Sequence, residues 1–332
     1  MRVHVLAPGR VNLIGDHTDY TGGLVLPMAI DRYTEIRGTR TGDRVHLTSF
    51  DEVEPVDLPL VIDRPQDVQP SWGKYVAGVV SELHKPHGFQ GHVTSDIPIG
   101  AGLSSSAALE IAVALAVGFS GTALELAQLC QRAENRASGV PSGIMDQLAI
   151  AAGVAGHALL IDCGDLTVQP VAIPRGVEIV VQFIEHRTLV GSPYAERVAE
   201  CAAAEALIGP LRHSTAAQAK SIADPVVRAR AIHVTSENRR VIEFADAVAA
   251  GDLREAGKLM VQSHTSLRDL YNTSTRTMDA AVAEVCSTPG VFGARMTGGG
   301  FGGCLVALTE PGALMTGWVV RAVAGASVSL TA

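Results

Sequence analysis

The stretch that most constrains this chain is SDIPIGAGLSSSAALEIAVALAV, residues 95–117. A β-rich run leads into a glycine-rich loop, then three serines, then an apolar run of helical length. Such a turn leaves backbone N–H groups and hydroxyls at a helix N-terminus, where phosphate binds well. It is not a Walker A loop, because no Gly-Lys-Ser/Thr follows the glycines. A simple helix cap with flexible glycines is the other reading, since N-caps favour serine in any helix.

Around this unit, strands and helices mix without regular βα alternation. Strand patterns cover 2–7, two runs in 24–38 around Asp31-Arg32, then 44–50 and 91–96. Helical patterns cover 71–83, 105–117, 122–138 and 143–152, followed by strands at 157–162 and 167–172. Composition shifts at Pro174-Arg175-Gly176, where a domain boundary is expected. Beyond it come a strand at 177–184, a mostly helical region at 195–288, and a hairpin of 292–297 with 303–309. The chain's 332 residues have room for two domains, 1–175 and 176–332. The pattern predicts two α+β domains rather than a doubly wound sheet.

Aromatic residues make up only 4% of the chain, so Val, Ile, Leu and Ala must build the core. Net charge is −8 and the only lysines are Lys74, Lys85, Lys220 and Lys258, which argues against nucleic acid or an anionic membrane as partner. The five cysteines contain no CxxC pair, which argues against zinc or a disulfide framework and for a reducing compartment. The opening MRVHVLAPGR lacks the apolar run of a signal peptide. No segment approaches the roughly 20 apolar residues of a membrane helix. A cytoplasmic protein is expected. No oligomer seam is visible, so a monomer is expected.

Three further segments carry chemistry. In APGRVNLIGDHTDYTGGLVLPMAI, residues 7–30, Arg10, Asp16, His17 and Asp19 crowd among glycines and apolar residues. A solvated turn explains one or two such charges; a cluster suits sugar hydroxyls, because carboxylates accept O–H bonds and His donates or accepts. In RMTGGGFGGCLVAL, residues 295–308, a formal GxGxxG is followed by a strand rather than a helix, so the dinucleotide reading fails. A tight hairpin or close approach to a ligand remains. In QRAENRASGVPSGIMDQLA, residues 131–149, Glu134 and Asp146 flank a Gly-Val-Pro-Ser-Gly turn. Taken singly, each is as well explained as a solvated or capping residue.

Together, GRVNLIGDHTDYTGG (9–23), PIGAGLSSSAALE (98–110), GVPSGIMDQ (139–147) and RMTGGGFGG (295–303) resemble the galactokinase family. That family lies within the GHMP group of galacto-, homoserine, mevalonate and phosphomevalonate kinases. Weaker similar stretches are 70–80, 186–201 and 263–269, so the resemblance spans nearly the whole chain. It implies a two-domain GHMP kinase fold, with a ribosomal-protein-like N-terminal domain, a ferredoxin-like C-terminal domain and the active site in the cleft between them. It implies ATP as phosphoryl donor, Mg²⁺ as cofactor and a small sugar as acceptor.

The resemblance also implies roles. Asp146 matches the proposed catalytic base on the anomeric hydroxyl, and Arg10 the arginine that pairs with it. Asp16, His17, Asp19, Gly143 and Tyr194 match sugar-contacting positions. Ser106 and Glu134 match the metal-associated hydroxyl and carboxylate. The loop Gly100, Ala101, Gly102, Leu103, Ser104, Ser105 and Ser106 matches the nucleotide phosphate cradle. Trp72 matches a residue near the adenine, and 297–303 a loop beside the phosphates and sugar. A carboxylate is a weak base toward a sugar hydroxyl, so proton transfer is expected late and helped by Arg10.

The chain departs from the family pattern at Asp16, where Glu is usual and meets the sugar's C6 hydroxyl. Ser142 replaces a frequent Cys, and LYNTSTRTMD replaces a more acidic stretch. These departures bear on the sugar more than on the reaction. Three readings stand: a galactokinase; a related kinase of an amino sugar, uronic acid or pentose; and a non-catalytic sensor of sugar and nucleotide. The intact Ser104-Ser105-Ser106, Arg10 and Asp146 disfavour the sensor.

Overall fold

The computed structural model describes residues 1–186 and 193–332. The similar stretch 186–201 therefore lies partly outside the described residues. In chain order the first half holds β1 (Arg2–Asn12), β2 (Leu24–Val25), β3 (Pro27–Arg40), β4 (Arg44–Ser49), β5 (Val56–Pro59), α1 (Gly73–Glu82), β6 (Phe89–Ser95), α2 (Ser105–Ala116), α3 (Ala123–Ser138), α4 (Met145–Ala152), β7 (His157–Asp162) and β8 (Thr167–Ala172). The second half holds β9 (Glu178–Glu185), α5 (Tyr194–Ile208), α6 (Ala216–Ser221), α7 (Pro225–Ala250), α8 (Leu253–Ser266), α9 (Arg276–Ser287), β10 (Val291–Met296), β11 (Gly303–Thr309), β12 (Trp318–Val320) and β13 (Ser327–Thr331).

Six strands form the first sheet, in the order β13-β1-β3-β6-β4-β5, with the chain's last strand paired to its first. Four antiparallel strands form the second, β10-β11-β9-β12, and a small sheet joins β2, β7 and β8. Helix α2 lies on β1 and β3, α4 also touches both strands, and α3 packs across α1, α2 and α4. Their apolar faces and the sheet share one core of small aliphatic residues, including Val5, Val11, Ile36, Val76, Ile111 and Val113. The scarcity of aromatics is met by this dense aliphatic packing.

The 24–38 region differs from two separate strands. β3 runs unbroken to Arg40, and its register against β1 shifts between Pro8 and Gly9, leaving Asp31 and Arg32 outside the pairing. An irregularity of this kind bends a strand and re-aims its side chains. It falls where the chain most needs it: a Cβ on Gly9 would come within 2.9 Å of the Leu103 carbonyl. The bare backbone lets the glycine–serine loop lie across β1, fixed by Arg10 N–H donating to Leu103 O at 3.2 Å.

In the second half, Asp224 caps the long helix α7 by accepting from the N–H groups of Val226 and Val227, and left-handed Gly251 ends it. The α7 helix touches both β2 and β8, so it braces the segment after β1. The helix α8 widens into a π turn at Leu267–Tyr271, which brings Tyr271 into the interior. The hairpin of β10 and β11 closes around glycines whose φ values are 80° at Gly298, 74° at Gly300, 110° at Gly302 and 92° at Gly303. Among the described residues, no helix is long and apolar enough to cross a membrane.

Candidate active site

Arg10 and Asp146 are 136 positions apart in sequence and meet as a bidentate pair. Arg10 Nε donates to Asp146 Oδ1 at 2.7 Å, and Nη2 to Oδ2 at 2.6 Å. The third arm, Nη1, donates to Gly102 O at 2.6 Å, so one guanidinium ties the Asp146 carboxylate to the backbone of the glycine–serine loop. Arg10 is buried at 3% while the Asp146 side chain keeps 28% exposure, so the acid is the partner that can reach a substrate. Ser104 Oγ also donates to Asp146 Oδ2, a contact that reading the serines as a phosphate cradle did not reveal. Ser104 sits at φ 62°, a left-handed conformation that costs energy without glycine. That conformation starts α2 with its next residue.

Asp146 is delivered by the first turn of α4, where the helix dipole favours negative charge. The turn before α4 is tied to α3: the Ser142 N–H and hydroxyl both donate to Asn135 Oδ1, at 3.0 and 2.8 Å. Ser142 thus makes a bond that its hydroxyl suits well.

Deeper along α3, Ser106 Oγ donates to Glu134 Oε1 at 2.9 Å, and Gln147 Nε2 donates to Glu134 Oε2 at 2.6 Å. Burial, then the nearby charge of Asp146, pushes the Glu134 carboxyl up from its usual range. Glu110 lies close enough to interact and is fully buried, and burial with the Glu134 charge raises it further still. Glu134 and Asp146 lie within electrostatic reach of each other and of Arg10. Ser106 and Glu134 present adjacent oxygens of the type Mg²⁺ takes. No cluster of three or more His, Cys, Asp or Glu side chains able to hold a metal occurs among the described residues. One carboxylate and a hydroxyl fit an ion held mainly by waters and substrate phosphates.

The cluster of Asp16, His17 and Asp19 divides. Asp19 lies against Gly143: a Cβ at 143 would overlap the Asp19 carboxylate, which explains glycine there. Desolvation, then the charge of Asp146, pushes the Asp19 carboxyl up to about 7. His17 is buried at 4%, with φ 66°, and its Nδ1 lies 3.0 Å from Tyr20 Oη. The Tyr194 ring stands 5.5 Å from the imidazole, and Tyr271 Oη lies 2.7 Å from Tyr20 Oη. Asp16 faces elsewhere. Its side chain is 2% exposed, Oδ2 lies 2.6 Å from Arg295 Nη2, and Oδ1 accepts from Gly298 N–H at 3.1 Å. The Asp16 carboxylate thus lies in an internal ion pair.

Gly100 and Gly102 adopt φ 73° and 78°, which places the backbone of 100–104 over β1 and Ser105–Ser106 at the start of α2. Trp72 is buried at 7%, inside the aliphatic core, with its indole N–H donating to Glu54 O at 3.1 Å. Little of the ring is open to a nucleotide. Sequence reasoning also missed Gln147, Arg295 and Glu237. Glu237 receives Gly15 N–H at 3.1 Å and pairs with Arg240, anchoring the start of the charged cluster on α7.

Known families match this arrangement. Residues 74–154 match the GHMP kinases N terminal domain, residues 244–314 the GHMP kinases C terminal domain, and residues 2–39 the galactokinase galactose-binding signature. A mevalonate kinase structure, 23% identical with a TM-score of 0.68, shares the fold. Fold and site together define a kinase of the GHMP class. The galactokinase of Chloroflexus aggregans is 42% identical over 349 residues, covering 95% of this chain and 87% of that protein. The human galactokinase is 40% identical over 329 residues, covering 93% and 84%. The galactose-complexed galactokinase of Lactococcus lactis superposes with a TM-score of 0.90 at 32% identity, covering 98% and 95%. The chain belongs to the galactokinase family.

Proposed function

We propose that this chain transfers the γ-phosphoryl group of ATP to the anomeric hydroxyl of D-galactose, giving galactose 1-phosphate and ADP. The observation that carries the reading is the Arg10–Asp146 pair, held to the phosphate loop through Gly102 and Ser104. A carboxylate has about four acceptor positions. Oδ2 receives Arg10 and Ser104, whereas Oδ1 receives Arg10 alone. Oδ1 is therefore the atom that takes the sugar proton as the new O–P bond forms and the bond to the ADP oxygen breaks. Phosphoryl transfer depends mainly on positioning and charge neutralisation, and Arg10 supplies the fixed positive charge beside the acceptor.

His17, Asp19 and Tyr194 form the sugar pocket around Gly143. The backbone of 100–106 cradles the phosphates at the N-terminus of α2. Trp72, only 7% exposed, lies behind the adenine site and supports it from within the core. Ser106 and Glu134 would hold Mg²⁺, which would neutralise phosphate charge when bound. The same reading divides the chain at residues 175/176 and has it work as a cytoplasmic monomer.

A second reading, a kinase of another sugar, draws support from Asp16, whose carboxylate is committed to Arg295 and Gly298. A panel of free sugars with coupled ADP detection separates the two. Galactose is expected to give the highest kcat/KM. A higher value for an amino sugar, a uronic acid or a pentose contradicts the galactose assignment. No turnover with any sugar, despite tight binding, makes the chain a sensor.

A further inference from the structure

Arg295 is the largest fully buried side chain among the described residues. Among the described residues Asp16 is the only carboxylate within ion-pair distance of it, the buried Glu237 carboxylate also acts on its charge from farther off, and its Nε and Nη1 have no hydrogen-bond acceptor. The 2.6 Å contact is ionic, without an aligned N–H···O bond. Buried pairs of this kind are weak sources of stability, since desolvation offsets the attraction. The pair's position suggests what else it does. Asp16 Oδ1 accepts from Gly298 N–H, and Asp16 O lies 3.2 Å from His233 Nε2. One residue earlier in the loop, Thr297 Oγ1 accepts from Asn12 N–H at 3.1 Å and donates to Asn12 O at 2.9 Å. Asn12 stands two positions after Arg10 on β1.

The loop 297–303 needs such anchors. Gly298, Gly300, Phe301, Gly302 and Gly303 all have positive φ, and glycine backbone has little conformational preference of its own. Its later half is fixed by Phe301 N–H donating to Thr273 O at 2.7 Å. Its leading half is fixed by Asp16 and Asn12.

We propose that Asp16 and Arg295 form a clamp between the charged cluster and the glycine loop, and act as positioning residues for phosphoryl transfer. The clamp sets the loop against Asn12 and, through Asn12, holds the end of β1 that carries Arg10. Asp16 in this chain is thus an internal brace rather than a sugar ligand. The proposal rests on the kinase reading for its catalytic half only.

The test uses Asp16→Leu, Arg295→Met and the double variant, with thermal midpoint, substrate-free amide exchange of 297–303, and kcat and KM. Asp16→Leu alone lowers the midpoint, because it removes the carboxylate in direct contact with a buried guanidinium. The double variant removes both charges and regains most of that loss. Its loop amides still exchange about tenfold faster, and kcat falls about tenfold, as expected for a displaced reacting group. KM for ATP stays within about twofold, because the 100–106 cradle is untouched. A double variant with both loop exchange and kcat unchanged would make the pair merely structural and overturn the clamp. A loosened loop with unchanged kcat overturns its catalytic half. A single Asp16→Leu variant whose only loss is a raised KM for galactose returns Asp16 to the sugar pocket. If the unaltered protein turns over no galactose, the kinase reading fails on its own, and the loop exchange still decides the clamp.

Discussion

Asp19 carries two marks of a binding group: glycine at 143 makes room for it, and its carboxyl sits at about 7. Sugar hydroxyls donate to the ionised form. Below pH 7 a proton must therefore leave when sugar binds, and above pH 7 it has already left. Galactose affinity is expected to rise between pH 6 and pH 8, with proton release near pH 7. Calorimetry in two buffers of different ionisation heat measures that release, and a pH-independent affinity would contradict it. At this scale the sequence was informative where side chains cluster locally, as with Asp16, His17 and Asp19. It was uninformative about which way each one turns. Asp16 turns to Arg295, a contact 279 positions away that no local pattern encodes. The lone arginine in an otherwise apolar and glycine-rich hairpin was the available signal.

Helix α2 shows how an element's pattern can hide a charge. Its sequence SSAALEIAVALA is apolar almost all round, as a fully buried helix should be. Glu110 therefore enters the core with it, and neither carboxyl oxygen finds a partner among the described residues. Burial raises its pKa in the folded state, so folding takes up a proton. The favourable contribution is complete below the unfolded value of about 4.3 and is lost as pH rises from there. Glu110→Gln is expected to raise the thermal midpoint, by more at pH 8 than at pH 5; an equal or smaller gain at pH 8 would contradict a neutral Glu110. The long periodic helices and the β10–β11 hairpin were legible because one local pattern specifies each. The strands β7 and β8 match their patterns, but β5 and β13 were not legible. β5 ends at Pro59, which weakens its strand pattern. β13 is exposed along its length and exists as a strand because β1 offers it an edge.

The whole molecule brings together what the chain keeps apart. Arg10 comes from β1, Gly102 and Ser104 from the loop before α2, and Asp146 from α4. Glu237 and Arg295, from α7 and β10, brace the segment that follows Arg10. The mixed α+β class followed from the order of local patterns. The return of β13 to the first sheet did not, because the composition shift at 174–176 carries no trace of it. The convergence on Arg10 and Asp146 was readable through resemblance to a family and not through periodicity, which has no reach across 136 positions. Turnover of Asp146→Asn with ATP and galactose, measured beside galactose binding, tests this convergence most directly. Loss of about 10²-fold or more in kcat with binding retained is the expected result for a positioned proton acceptor. Turnover close to that of the unaltered protein, with binding unchanged, would contradict it.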